Sequence, residues 1–458
     1  MSLRPRRTGR TPGVLAVALL LLVGGACSRK PSPGVVLITV DTLRASHLGC
    51  YGSARPTSPA MDALAASGVT FRDTFAPRAQ TWPTLATVLT SLHPVTHGVR
   101  RNGQALEDGA QTIAEVLAKR GYDCASFLSN SGKAEWPGFS VSFDMRDQDA
   151  SLATQAAGWL RARQGGNFFL WIHLFGPHRP FQPPVPLTPL FDRGYDGPID
   201  GSIEQMDRIT AERRELPETD LHHLIARYDA EIVAVDRLIG RLLETLQETG
   251  LDDNTLVVLA SDHGEDLYQR NFYINHSASI YDSSLRIPLM LRWPGKVPAG
   301  RIAPGIVEAL DIAPTVLDYL GISAPDAWEG VSLRGLAEGS PGARGKAAAF
   351  SELENRVLSV RTESHRFVSN PSGFAYRVGR TEPPAWIRFG ERELFLIEED
   401  PEELVNHAGE LPEMEDELEA RLRVWCADHD WEERARTHET RHVPEEIRRS
   451  LEAIGYVQ

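Results

Sequence analysis

Three continuous apolar runs stand out along the chain. Gly34 to Val40 (GVVLITV), Phe168 to Phe175 (FFLWIHLF) and Leu256 to Ala260 (LVVLA) show no regular polar alternation and are rich in β-branched or aromatic residues. Such runs predict strands buried on both faces, as in a parallel sheet. Between them apolar positions recur at helical spacing, at Pro59 to Ser67, at Thr112 to Arg120 and, longest, at Ile225 to Thr249. The last includes YDAEIVAVDRLIGRLLETLQET, and Gly250 supplies a natural stop. Strands alternating with helices predict an α/β fold, a doubly wound, mostly parallel sheet flanked by helices. A short helix at Asp311 to Leu320 belongs to the same domain, whose expected extent is residues 34–330.

The pattern then changes. Gly335 to Lys346 (GLAEGSPGARGK) is rich in Gly, Ala and Pro and reads as a linker. Ala348 to Leu353, Arg356 to Thr362 and Phe374 to Val378 predict antiparallel strands, and Glu413 to Cys426 predicts an acidic amphipathic helix. Residues 346–458 are therefore expected to form a smaller α+β subdomain, an antiparallel sheet plus helix, with a tail from Ile447 to Val457. No internal repeat is visible.

The N-terminus reads as an export signal. Arg4, Arg6, Arg7 and Arg10 precede an apolar run, Val14 to Val23, that is too short to span a bilayer. Gly24-Gly25-Ala26-Cys27 then resembles a bacterial lipobox, with Gly24 where leucine is usual; a plain signal peptide cleaved near Ala26 is the alternative. The arginine pair also fits twin-arginine export. Residues 1–27 are thus expected to be a signal peptide, and the mature protein to sit in the bacterial cell envelope or periplasm, anchored by a lipid on Cys27. Loss of the four arginines takes the formal charge from −14 to −18. So acidic a protein should not favour nucleic acid or anionic headgroups, which leaves the lipid as its membrane contact. Cys50, Cys124 and Cys426 are too widely spaced for a disulfide framework, and leave open one bridge or free thiols.

In an open α/β sheet, ligands bind beyond the carboxyl ends of the strands. Val40 is followed by Asp41-Thr42, Ala260 by Ser261-Asp262-His263-Gly264-Glu265, and Phe175 by Gly176-Pro177-His178. Two aspartates and a histidine aimed at one crevice suit a divalent metal. Each also suits a bland role: Asp41 and Asp262 as turn residues, His178 packed between Pro177 and Pro180. A histidine directly after an aspartate, with Gly264 allowing a sharp turn, favours ligation. Oxygen ligands alone would suit calcium or magnesium; the imidazole of His263 shifts the expected ion to zinc or manganese. Arg179, beside His178, could hold an anion or simply be solvated.

Thr81 precedes Pro83 at the start of an apolar helix and reads as an N-cap. The same position puts its hydroxyl beside backbone N–H groups and the positive helix end, where an oxyanion binds. A threonine hydroxyl becomes a nucleophile once a metal or base lowers its pKa.

These pieces, in this order, resemble the sulfatase family of the alkaline phosphatase superfamily. The resemblance runs from about Val35 to about Asn406 and rests on VDTLRASHLGCYG (Val40–Gly52), TSPAMDALAASGVTF (Thr57–Phe71), TWPTLATVLTSLHP with HGV (Thr81–Val99) and FGPHRPFQPP (Phe175–Pro184). It continues through YDAEIVAVD (Tyr228–Asp236), DNTLVVLASDHGE (Asp253–Glu265), LRIPLMLRWPG (Leu285–Gly295), DIAPTVLDYLG (Asp311–Gly321) and FLIEEDPEELVN (Phe395–Asn406). It implies that Asp41, Asp262 and His263 bind metal, with Thr81 as nucleophile and further ligand. It places Thr42 where many sulfatases carry a second aspartate, and His178 and His276 where substrate contact or proton transfer occurs.

The departures are specific. The family signature begins C-x-P-[SA]-R, and its cysteine is oxidised to formylglycine; here Thr81 and Leu85 replace the cysteine and the arginine. No other cysteine begins such a motif. Gly176 replaces the aspartate of a frequent D-P-H, and Arg270-Asn271 stand where E-H-G is common. Threonine in the nucleophile slot resembles the phosphodiesterase, phosphonate-hydrolase and phosphoethanolamine-transferase branches. The expected activity is hydrolysis of phosphoric, or else sulfuric, esters of a small molecule, glycan or lipid. The alternatives are an envelope phosphoryl-group transferase and a sulfatase-fold binding protein without catalysis.

Overall fold

The computed structural model describes the chain except residues 3–32, 130–135, 146–147, 164, 271–272, 379–384, 439–442, 444, 446–447 and 450–458. The basic N-terminal region, Cys27 and most of the tail from Ile447 lie outside the described residues. From Ser32 onward the chain forms one compact unit.

Its centre is an eight-stranded mixed sheet. The first ten strands are β1 (Gly34–Val40), β2 (Val69–Phe75), β3 (Asp123–Ser129), β4 (Val141–Met145), β5 (Phe168–Leu174), β6 (Thr255–Ser261), β7 (Asp266–Leu267), β8 (Ile274–Asn275), β9 (Arg286–Arg292) and β10 (Arg301–Glu308). The large sheet runs β10-β2-β9-β6-β1-β5-β3-β4, and β7 and β8 pair as a separate hairpin. Strand β1 lies parallel between β5 and β6, whereas β9 is antiparallel to both its neighbours. The expected doubly wound, mostly parallel fold is what forms.

The apolar runs owe their continuity to a core on each face. Val35, Leu37, Phe169, Trp171, Leu256 and Val258 enter one core, and Val36, Ile38, Val40, Leu170, Ile172 and Val257 the other. Successive side chains point to opposite faces, so a strand covered on both has no polar side. Helix Glu218–Glu248 lays Tyr228, Ile232, Val235 and Ile239 on the second core. It starts seven residues before the expected Ile225, because Asp220 and His223 are buried in its first turns and break the apolar spacing.

The segment read as a linker is partly ordered into the core. A short helix, Arg334–Glu338, buries Leu336 and Ala337, and Lys346 Nζ lies 2.8 Å from both Glu308 and Asp311. Beyond it β11 (Ala349–Leu353), β12 (Val357–Arg361), β13 (His365–Ser369) and β16 (Arg392–Leu396) make an antiparallel sheet, and β14 (Ala375–Val378) and β15 (Ala385–Arg388) a hairpin. Strands β13, β15 and β16 were not legible. In β13 the buried Arg366, bonded to Asp282 and Glu403, disguises the apolar alternation. Helix Pro412–Asp428 packs Leu418, Leu422 and Trp425 against this sheet. Cys50, Cys124 and Cys426 are free thiols.

Candidate active site

Strand register brings the two aspartates together. Val40 pairs with Ser261, so Asp41 and Asp262, one residue on, lie side by side beyond the strand ends. Both are fully buried. Asp262 Oδ1 accepts bonds from the backbone N–H of His263 (2.7 Å) and Thr42 (3.2 Å), while Oδ2 has no hydrogen-bond partner. Thr42 is held at φ 53° with its hydroxyl likewise buried and without a partner. That backbone region is costly for a β-branched residue and recurs at functional sites. Tyr228 braces it: its hydroxyl donates to Thr42 O (2.7 Å) and accepts from Arg44 N (3.0 Å).

His263 is oriented by its own chain. Nδ1 lies 3.0 Å from Gly264 O; donation there leaves Nε2 as the free acceptor. Nε2 stands 3.7 Å from Asp41 Oδ1, 3.5 Å from Asp262 Oδ2 and 3.4 Å from Thr81 Oγ1. Gly264 serves by close approach rather than by turning sharply: a Cβ there would lie 2.3 Å from Ser283 O.

Thr81 closes the cluster, with Oγ1 3.5 Å from Asp41 Oδ2. It is not the N-cap. Gln80 holds that position, and Thr81 is the first residue of helix Thr81–Thr90. The expected cradle of free N–H groups is largely spent, since Trp82 N donates to Asn102 Oδ1 (2.9 Å), Pro83 has none, and Thr84 N bonds Gln80 O (3.3 Å). Leu85 is buried in the first core.

The structure adds His173, which the sequence reading passed over inside an apolar strand. Its Nδ1 lies 3.0 Å from Thr39 Oγ1, which also accepts from the Trp171 indole (2.9 Å). Its Nε2 lacks a hydrogen-bond partner and faces Asp41 Oδ2 at 3.8 Å. Thr39 and His173 are paired in register on the two central strands. Two polar residues in otherwise apolar runs were the signal available.

His178 and His276 flank the cluster. Their ring centroids are 5.1 Å apart, and His276 stacks 4.4 Å from His263. His178 Nδ1 meets Arg179 O at 2.6 Å, and His276 Nδ1 faces the buried Glu265 at 3.3 Å. Arg179 is not a solvated loop residue: it is 1% exposed and bonds Asp207 at 2.6 Å. Arg270 turns away, stacking on Tyr281 and donating to Glu402 O (2.9 Å); Asn271 lies outside the described residues. At Gly176, a Cβ would lie 2.9 Å from Val235 Cγ2, and Asp149 accepts from the Phe175 and Gly176 N–H groups. A cavity of about 650 Å³ opens beside His178, lined also by Gln182, Glu231, Arg237 and Arg241.

Electrostatics set the carboxylates apart. Burial pushes both up; the imidazoles of His178, His173 and His263 outweigh it for Asp41, which falls to about 2, whereas burial and the charge on Asp41 raise Asp262 to about 6. Burial lowers His178 to about 4, so it is neutral at pH 7. Adjacent buried carboxylates with outward-facing donors call for a cation. His263 Nε2 lies 3.4–3.7 Å from Thr81 Oγ1, Asp262 Oδ2 and Asp41 Oδ1, and Asp41, His173 and Asp262 each offer a ligand atom within 4.8 Å of the other two. Four tetrahedral donors on zinc, at bonds of about 2.0–2.2 Å, would be roughly 3.3–3.6 Å apart. The residues fit a divalent ion.

Comparison with known proteins agrees. The sulfatase model matches residues 33–322, well over half of the chain. This chain belongs to the sulfatase family. A model for the C-terminal part of N-sulphoglucosamine sulphohydrolase matches residues 275–425. An arylsulfatase of Clostridium perfringens is 24% identical over 82% of this chain and 90% of its own. A multifunctional alkaline phosphatase superfamily protein of Trinickia caryophylli is 27% identical over 67% of this chain and 77% of its own. Among solved structures, a phosphonate monoester hydrolase of Agrobacterium radiobacter superposes with a TM-score of 0.73 at 23% identity, covering 87% of this chain and 96% of that one. As a sulfatase-family protein the chain is an ester hydrolase of a class that uses a divalent metal ion.

Proposed function

We propose that this sulfatase-family enzyme hydrolyses phosphoric or phosphonic esters with Thr81 as the nucleophile, sulfuric esters being the second choice. The observation that carries the reading is the hydroxyl of Thr81, 3.5 Å from Asp41 Oδ2 and 3.4 Å from His263 Nε2. A threonine cannot become formylglycine, so this hydroxyl is the nucleophile the position offers. Asp41, Asp262, His263 and Thr81 would hold the ion, with His173 behind Asp41; zinc or manganese fits the mixed nitrogen and oxygen donors best. The ion, when bound, neutralises substrate charge and favours the ionised hydroxyl.

The chain's own groups supply the rest. Asp41 lies within reach of the Thr81 hydroxyl and, held low by the surrounding imidazoles against the effect of burial, stays ionised to orient it. Neutral His178 and His276 stand where a leaving group or incoming water would exchange a proton, and each has one nitrogen fixed by Arg179 O or Glu265. With Nδ1 of neutral His178 donating to Arg179 O, its Nε2 is a lone-pair acceptor, suited to taking a proton from water and donating to a substrate oxygen only once protonated. The rest of the substrate fits the cavity beside His178.

Aryl phosphate monoesters and diesters, phosphonate monoesters and sulfate esters, assayed on wild type and Thr81→Ala, test the assignment. Thr81→Ala should cut kcat by roughly 10³-fold or more with metal content retained. Turnover that survives the substitution removes Thr81 from the role. Export and a lipid on Cys27 belong to the same proposal; Cys27→Ala should move the protein from the membrane fraction to the soluble envelope fraction, and an unchanged distribution refutes the anchor.

A further inference from the structure

We propose that His93, Glu329 and His429 form a second metal site, structural in role, that takes one divalent transition ion of the zinc type. The three come from segments far apart in the chain. His93 precedes the short helix Pro94–His97, Glu329 lies in the loop after helix Ile312–Tyr319, and His429 follows helix Pro412–Asp428. One ligand atom from each lies within 4.8 Å of the other two.

The donors are prepared for a cation. His93 is 5% exposed, and its Nδ1 is buried without a hydrogen-bond partner. His429 Nδ1 lies 2.7 Å from Trp425 O; donation there leaves Nε2 free, 3.9 Å from Glu329 Oε1. Glu329 is aimed by two donors, Thr96 Oγ1 to Oε1 and His93 N to Oε2, each at 2.7 Å. Outer partners of this kind orient ligands at metal sites.

A simpler reading makes Glu329 a cap for the short helix. That accounts for the carboxylate but not for two imidazoles converging on it, nor for a ring nitrogen buried without a partner, which is costly unless something binds it. Two nitrogens and one oxygen suit zinc over calcium or magnesium. The Glu329 and His429 side chains are 24% and 16% exposed, which gives the ion a way in and leaves room for water to complete its shell. The site is separate from the catalytic cluster: helix Thr81–Thr90, about 15 Å long, intervenes. An ion there would tie the C-terminal helix to the segment that follows the Thr81 helix.

The full chain, stripped with chelator and titrated with zinc chloride by calorimetry and elemental analysis, tests this. His429→Gln and Glu329→Gln should each bind one zinc fewer than wild type, or bind it more than about 100-fold more weakly, and lose part of the zinc-induced rise in Tm. Thr96→Val, which removes only an orienting hydroxyl, should weaken the same site by about 10-fold. Asp41→Asn should leave it intact. His429 is partly exposed, so its variant keeps the fold, and near-UV dichroism checks this. Equal zinc count and affinity in wild type, His429→Gln and Glu329→Gln overturns the proposal, as does loss of all zinc on Asp41→Asn alone.

Discussion

Gly264 has no room for a side chain. A methyl group there meets the Ser283 carbonyl, and relief would have to move His263. Gly264→Ala should therefore destabilise the protein by about 1–3 kcal/mol, read from the midpoint of chemical unfolding, and weaken metal binding in parallel. His173 acts one step further out. Replacing it with Asn removes the imidazole that faces Asp41 Oδ2 and should lower metal affinity by about 10–100-fold with little change in unfolding midpoint; unchanged affinity would confine His173 to packing. Asp41, Asp262 and His263 were legible because each follows an apolar run at a strand end. His173 was not, because it lies within one, and single-sequence patterns weigh the run above its exception. For Thr81 the helix start was legible but the capping reading was not right, since Gln80 is the N-cap and the Thr81 side chain faces residues 40 and 182 positions away.

Elements carry the site through braces that sequence spacing does not reveal. YDAEIVAVD marks the long helix, and the structure shows what its polar members do. Tyr228 bonds the strained loop at Thr42, Asp229 pairs with His47 and Arg55, and Asp236 receives the Ala60 and Met61 N–H groups at 3.0 and 2.9 Å. Tyr228→Phe leaves two buried backbone groups unsatisfied and should cost about 1–3 kcal/mol in the unfolding midpoint, with kcat falling as Thr42 relaxes. Asp236→Ala should cost about 1–2 kcal/mol without touching kcat, because it caps helix Pro59–Ala66 away from the cluster. The long helix was readable from its period and the three central strands from their unbroken apolar runs; helices Asp149–Arg161 and Ile203–Glu212 were not read, nor were β13 and β16, where polar residues such as the buried Arg366, paired with Glu403, interrupt the apolar pattern that marks a strand.

The whole molecule has a pH optimum built into its interior. His97 is fully buried and uses both nitrogens: Nδ1 accepts from Val99 N (3.1 Å) and Nε2 faces Thr87 Oγ1 (3.0 Å). Burial lowers it from 6.5 to about 3, so the unfolded chain takes up its proton first. Its contribution is complete above pH 6.5 and is lost as pH falls toward 3. Glu231 has the opposite sign. Burial, then repulsion from Asp149, raises it to about 8, so its contribution is complete below the ordinary carboxylate value and is lost as pH rises toward 8. Unfolding midpoints of the metal-free protein across pH 4–9 should be highest between these limits, and Glu231→Gln should flatten the alkaline limb.

Strand β1 is buried along its whole length, yet both its partners are encoded far downstream: Val36 pairs with Leu170 and with Val257. At synthesis rates of about 5–20 residues per second, roughly 10–40 s separate its emergence from that of β6. Until β5 is made this seven-residue apolar ribbon has neither of its strand partners, and until β6 is made it has only one. Asp41 is thus made early, and its neighbour across the strand ends, Asp262, joins it only after β6 has been made.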